Sequence, residues 1–135
     1  MSAAAGLALS PARNRDTSRR IVDACIEYAE GVQWRQVTLA SLCAVSGASE
    51  RRVRDAFYDC VAMSPTAYLR VTALHAVRRA LVERPHTRDV VSRAASDFGF
   101  WHLSRFAGQY RAVFGESPSE TVMRARELSV RQSVA

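Results

Sequence analysis

The sequence predicts an all-α chain of about seven helices, and three observations carry that expectation. Apolar residues recur at spacings of three and four rather than two, the pattern of helices with one buried face. Hydrophobic residues make up 48% of the 135 residues, with only 6 Gly and 4 Pro, which suits one folded, mostly helical domain. The apolar runs are also punctuated, with Ser, Thr or Asp before them and Gly or Pro after them.

The elements follow in order. Asp16 or Thr17 caps a helix to about Glu30, with Ile21, Cys25, Tyr28 and Ala29 on one face and Gly31 as the stop. Trp34 is expected in the core. Thr38 caps a short helix, LASLCAV, ended by Ser46-Gly47, and Ser49 caps the next, ERRVRDAFYDCV. Ser64 caps a long helix that begins with Pro65, where the missing N–H costs nothing, and Pro85 keeps it from running past about Glu83. Asp89 starts VVSRAASDF, which Gly99 stops. A further helix covers about His102 to Phe114 and ends at Gly115. Ser117 and Pro118 open the last, which runs into the polar tail RQSVA.

Charge and cysteine usage narrow the function. The net charge of +6 and a pI of about 10.0 favour an anionic partner such as nucleic acid or an acidic membrane surface. Cys25, Cys43 and Cys60 are scattered and form no CxxC pair, which suits a reducing cytosol rather than a disulfide framework. With His75, His86 and His102 also far apart, the spacing of a zinc site is missing, so neither metal nor cofactor is expected. The opening residues lack the basic region and apolar length of a signal peptide. No stretch approaches the roughly 20 apolar residues of a membrane span. The expected location is the cytoplasm.

The chain also repeats itself. Shifted by 53 residues, Val53, Phe57, Ser64 and Pro65 fall on Phe106, Tyr110, Ser117 and Pro118. Shifted by 52, Leu39, Leu42, Cys43 and Gly47 fall on Val91, Ala94, Ala95 and Gly99. Each copy is a short helix, a glycine turn, a longer helix and Ser-Pro, so the Ser-Pro is the cap and first residue of the helix that closes the unit. A short helix, a Gly-containing turn and a second amphipathic helix make a helix-turn-helix, whose second helix enters the DNA major groove. The long helix between the copies, at about 1.5 Å per residue, spans roughly 27 Å. Successive major-groove faces on one side of a duplex lie about 34 Å apart, so two reading helices about one turn apart are expected.

The runs TLASLCAVSGAS, VRDAF, SPTAYLR and DFGFWHLSRFAGQYRAVFGESPSE resemble the DNA-binding domain of the AraC/XylS family of bacterial transcription regulators, over about Asp16 to Arg126. The resemblance implies two helix-turn-helix subdomains joined by a linker helix, with promoter DNA as ligand and RNA polymerase as a contact of many members. Most members also carry an effector-binding or dimerisation domain, usually before this one. None is present here, so the chain is expected to be either a domain of a longer regulator or a short stand-alone member. The expected division is a flexible lead-in or linker remnant over 1–15, a first subdomain with linker helix over 16–83, a second over 84–128, and a tail over 129–135.

At 100° per residue, Val53, Ala56, Phe57 and Cys60 form a core stripe, while Arg51, Asp55 and Tyr58 point the other way with Arg52 and Arg54 on the flanks. The resemblance implies base reading at Arg51, Arg54 and Asp55, and Arg52 is counted with them among the expected DNA-binding residues. Arginine suits this work because its fork bonds guanine O6 and N7 together. Asp55 departs from the family's usual basic residue; it can accept from cytosine N4 or pair with Arg51 at i,i+4. In the second copy Leu103, Phe106, Tyr110, Val113 and Phe114 are expected to face the core, and His102, Ser104, Arg105 and Gly108 to face out. The family's reading positions are His102, Ser104 and Arg105, and also Leu103 at the edge of the core stripe. His102 is alternatively only a helix-start residue. Gly108 removes a side chain where a polar one is common and lets backbone approach DNA. Gln109 and Arg111, with backbone N–H groups near Ser41, Ser49 and Ser92, are expected on phosphates. Trp101 reads as a packing plug beside Phe98 and Phe100, with stacking on a deoxyribose as the alternative.

The reading is therefore a sequence-specific, double-stranded-DNA-binding transcription regulator without catalysis. The alternative is an interaction module that keeps the fold and binds DNA weakly and without sequence preference. A thiol enzyme is disfavoured because Cys43 and Cys60 fall at buried repeat positions and no His pairs with them by spacing.

Overall fold

A computed structural model describes residues 11–134, and these are helical apart from turns and short links. The helices are α1 (Pro11–Glu30), α2 (Leu39–Ser46), α3 (Glu50–Val61), α4 (Pro65–Glu83), α5 (Val90–Asp97), α6 (Leu103–Phe114) and α7 (Pro118–Val134), with a 3₁₀ turn at Trp34–Gln36. The expected seven helices are present among the described residues, mostly within a residue of their expected ends. The chain divides into two compact units, one through Leu69 and one from Arg70, so that α4 belongs in part to each.

In the first unit α1 starts at Pro11, five residues before the expected cap. Its opening is a third Ser-Pro, and proline's fixed φ suits the first helical position. Met1–Ser10, most of the expected lead-in, lie outside the described residues. Among the described residues of α1, Ser18, Ile21, Val22 and Cys25 are buried, spaced three and four apart. They meet Leu42 of α2 and Val53, Ala56 and Phe57 of α3 in one core. Tyr28 and Ala29 lie at its half-buried edge. Trp34 is half-buried rather than core, and the Arg35 guanidinium sits 5.1 Å from its ring centre. Cys43 and Cys60 are likewise half-buried, which corrects the expectation of buried thiols. The enclosed thiol is Cys25, whose Sγ donates to the Leu42 carbonyl at 3.8 Å. Burial, and then the neighbouring Cys43, push its pKa up.

The Ser and Thr caps are in place. Thr38 Oγ1 accepts from Ser41 N–H at 3.0 Å while Ser41 Oγ accepts from Thr38 N–H at 3.0 Å, a reciprocal capping box. Ser49 Oγ accepts from Arg52 N–H and Ser64 Oγ from Ala67 N–H, each at 3.2 Å. Tyr68 near the start of α4 packs edge-on to Phe57 at 5.9 Å.

In the second unit Leu74, Val77 and Leu81 of α4, Ala94 and Ala95 of α5, and Val122 of α7 are buried with an aromatic group, Phe100, Phe106 and Tyr110. Arg126 Nε donates to the Pro85 carbonyl at 2.8 Å and ties α7 to the turn after α4. Asp89 precedes α5 as expected, yet it takes a left-handed backbone (φ +53°) and its side chain makes no cap bond.

Candidate nucleic-acid interface

Each unit presents one helix-turn-helix. In the first, α2 ends on Gly47 at φ +70°, a left-handed conformation that glycine adopts without steric cost, and α3 starts three residues later. In the second, α5 gives way to Gly99 at φ +90°. Phe100 then turns inward against Phe106, ring centres 5.1 Å apart, and α6 follows. The buried stripes of α3 (Val53, Ala56, Phe57) and α6 (Phe106, Tyr110) fix which side of each helix is left outward.

On α3, Arg51, Arg54, Asp55 and Tyr58 are all exposed. Arg51 Nε lies 4.0 Å from Asp55 Oδ2, with the Arg51 side chain 93% accessible, a loose pair that orients more than it stabilises. Arg52 lies apart from them. Its Nη2 donates to Ser18 Oγ at 3.1 Å and to Asn14 Oδ1 at 3.4 Å, which turns the guanidinium toward α1. Ser18 in turn donates to Asp59 at 3.2 Å, so two positions two turns apart on one side of α3 are fastened to α1 through one buried hydroxyl.

On α6, His102, Leu103, Ser104, Arg105 and Gly108 are exposed, and Gln109 is half-buried. Leu103 (48% accessible) and Val113 (39%) are outside the core where the pattern had put them inside; the aromatic interior closes on Phe106 and Tyr110 without them. Trp101 is not a packing plug either: it is 59% accessible. His102 occupies the cap position of α6 but its side chain makes no cap bond. Tyr58 and Trp101 are thus exposed aromatic residues on or beside the two outward faces.

Two arrangements hold α6. The first is a polar chain to α7. Thr121 Oγ1 donates to the Glu116 carboxylate. A hydroxyl has one proton, so the 2.7 Å bond between Tyr110 and Thr121 runs with the Tyr110 hydroxyl donating. Arg124 closes the chain on Glu116 at 2.8 Å. Burial of Tyr110 pushes its pKa up. The second is a capping box at α7, with Ser117 N–H donating to Glu120 at 2.9 Å and Glu120 N–H donating to Ser117 Oγ at 3.1 Å. The Ser117 backbone bond, then its hydroxyl, and more weakly Arg111 and Arg124, hold the Glu120 pKa below its ordinary range despite some desolvation. Arg111, expected on phosphate, lies 3.2 Å from Glu120. Of the backbone groups expected on phosphate, the Ser41 N–H is already taken by Thr38. Arg52 and Arg111 engage partners 34 and 9 residues away, and no local pattern announces either contact.

A family model described as a helix-turn-helix domain matches residues 42–124. The XylDLEGF operon transcriptional activator 2 of Pseudomonas putida is 32% identical over 97 residues, 72% of this chain and 62% of that protein. The probable thc operon regulatory protein of Rhodococcus erythropolis is 30% identical over 100 residues, 74% of this chain and 30% of that protein. The chain therefore spans about a third of the length of several curated relatives it matches. A crystal structure of a probable AraC family transcriptional regulator from Rhodopseudomonas palustris CGA009 superposes with a TM-score of 0.68 and 36% identity, covering 78% of this chain and 96% of that one. With two glycine-turned helix pairs in its fold and the family match running through both, the chain belongs to the AraC/XylS family of helix-turn-helix transcription regulators.

Proposed function

We propose that this chain binds double-stranded promoter DNA sequence-specifically and regulates transcription, with α3 and α6 each reading one major-groove segment. The observation that carries this reading is the outward face of each second helix. It is polar or arginine-bearing, it stands opposite a buried stripe, and it follows a left-handed glycine turn in a chain of net charge +6. Arg51, Arg54 and Asp55 are the readers of α3, and His102, Leu103, Ser104 and Arg105 those of α6. Gln109 and Arg111 serve phosphates. Arg52 positions α3 through Ser18 rather than reading bases. RNA polymerase and an effector or dimerisation domain are the further partners this reading implies, and the cytoplasm is its location.

The test is selection of bound duplexes from a randomised pool at about physiological salt. Enrichment of two short sequence blocks about one helical turn apart supports two reading helices. A single block limits reading to one, and the half that carries Asp55 is then the weaker. No enrichment favours the interaction module. Binding to the selected site should weaken steeply with salt, with a log–log slope of roughly −5 for about 6 phosphate contacts. Arg51→Ala and Arg105→Ala should each weaken that site more than random DNA; equal losses on both would assign the two side chains to phosphate alone.

A further inference from the structure

The start of α6 is apolar where solvent would favour polarity. Trp101 and Leu103 are 59% and 48% accessible, and they bracket His102 just ahead of the exposed Ser104 and Arg105. The interior offers them no place, because Phe100, Phe106 and Tyr110 already close the aromatic core with ring centres 5.1 and 5.8 Å apart. Two large apolar side chains therefore stand exposed at the entry to the helix proposed to enter the groove, Trp101 just ahead of the cap residue His102 and Leu103 as the first helical residue, with Arg105 two residues further on.

First-turn residues of such a helix are the ones that meet base edges. Among the groups that base pairs present in the major groove, the one apolar group is the C5-methyl of thymine. Resting on the reading proposed above, we infer that Trp101 and Leu103 are specificity-determining residues that cover thymine methyl groups in the segment read by α6. Arg105 supplies the hydrogen-bonded contact to a neighbouring guanine. The ligand chemistry is thus a 5-methylpyrimidine, recognised by apolar area, next to a guanine, recognised by hydrogen bonds. The positive charge of the chain draws the duplex in, and the methyl contacts select among sequences.

The test replaces each thymine of the selected α6 segment, one at a time, by deoxyuridine, which removes the methyl and leaves base pairing intact. At one or two positions the unaltered chain should bind about fourfold more weakly, the worth of one buried carbon. That penalty should vanish in Leu103→Ala or Trp101→Ala, whose melting midpoints should match the parent because both side chains are exposed. A selected segment without thymine overturns the inference. So does a uracil penalty that is absent everywhere, or equal in parent and variants, while tight binding persists. A pool that yields no enriched sequence at all instead overturns the DNA reading on which the inference rests.

Discussion

Gly108→Ala adds one methyl near the middle of α6, and its two effects should have opposite signs. A Cβ built at this position meets nothing within 4 Å, and the residue lies on the exposed side of a regular helix. Packing is therefore unchanged, and what remains is the helix-propensity difference, about 0.8–1 kcal/mol in favour of alanine. Over 135 residues a gain of that size raises the melting midpoint by about 3 °C. Thermal and urea denaturation followed by circular dichroism measure it, and the urea midpoint should rise with the slope unchanged. In the proposed complex the same methyl would stand between the α6 backbone and the groove. Affinity for the selected site should fall several-fold while affinity for random DNA hardly moves. A melting midpoint that stays put or drops would refute the helix reasoning. A stabilised variant with full affinity would show that the backbone at 108 does not approach DNA.

Arg52→Ala should cost about 1 kcal/mol of stability, because it strips the buried Ser18 of a charged donor at a half-exposed site. Arg51→Ala should stay within about 0.5 kcal/mol in the same urea titration and change only DNA binding. Thr121→Val should cost about 1–3 kcal/mol by leaving the Tyr110 hydroxyl without its acceptor. Adding Tyr110→Phe should recover part of that loss, and a loss that simply doubles would count against the bridge. Glu120 has a lowered folded-state pKa, so its contribution is complete above the ordinary glutamate range and is lost as pH falls through the lowered value. The melting difference between the parent and Glu120→Gln should therefore shrink below about pH 4. A difference that persists in acid would show that the carboxylate charge is not what caps α7.

The helices and their ends were largely legible in sequence because they are decided locally. Thr38, Ser49, Ser64 and Ser117 all accept the N–H three residues on, as their side chains and positions implied. Gly47 and Gly115 both stop helices in left-handed conformations. The centres of the buried stripes were legible too, Val53 and Phe57 in one half, Phe106 and Tyr110 in the other. Their edges were not. Leu103, Val113 and Trp101 sit where neighbouring helices decide whether anything covers them, and helical spacing carries no record of neighbours. The same holds for Arg52. Its position on α3 marked it as a flank, but only the approach of α1 made Ser18 its partner. The early start of α1 went unread, although Pro11 follows a serine just as the prolines that open α4 and α7 do.

The helix α4 has a practical consequence for anyone who would take the chain apart. The two compact units part between Leu69 and Arg70, inside Pro65–Glu83. Cutting there would strand Pro65–Leu69 as a stub of little more than one turn, far below the dozen or so residues at which a free helix begins to hold. The other fragment would open at Arg70 in mid-helix, with no cap residue before it, since the Ser64 cap and the first turn it serves stay with the first fragment. Yet Tyr68 leans on Phe57, while His75 stacks edge-on against Phe114 at 4.9 Å, so each fragment needs a different stretch of the same rod. A minimal version of either half must therefore carry residues 65–83 whole, and chimaeras between relatives should be joined at Ala62–Met63 or at Arg84–Pro85.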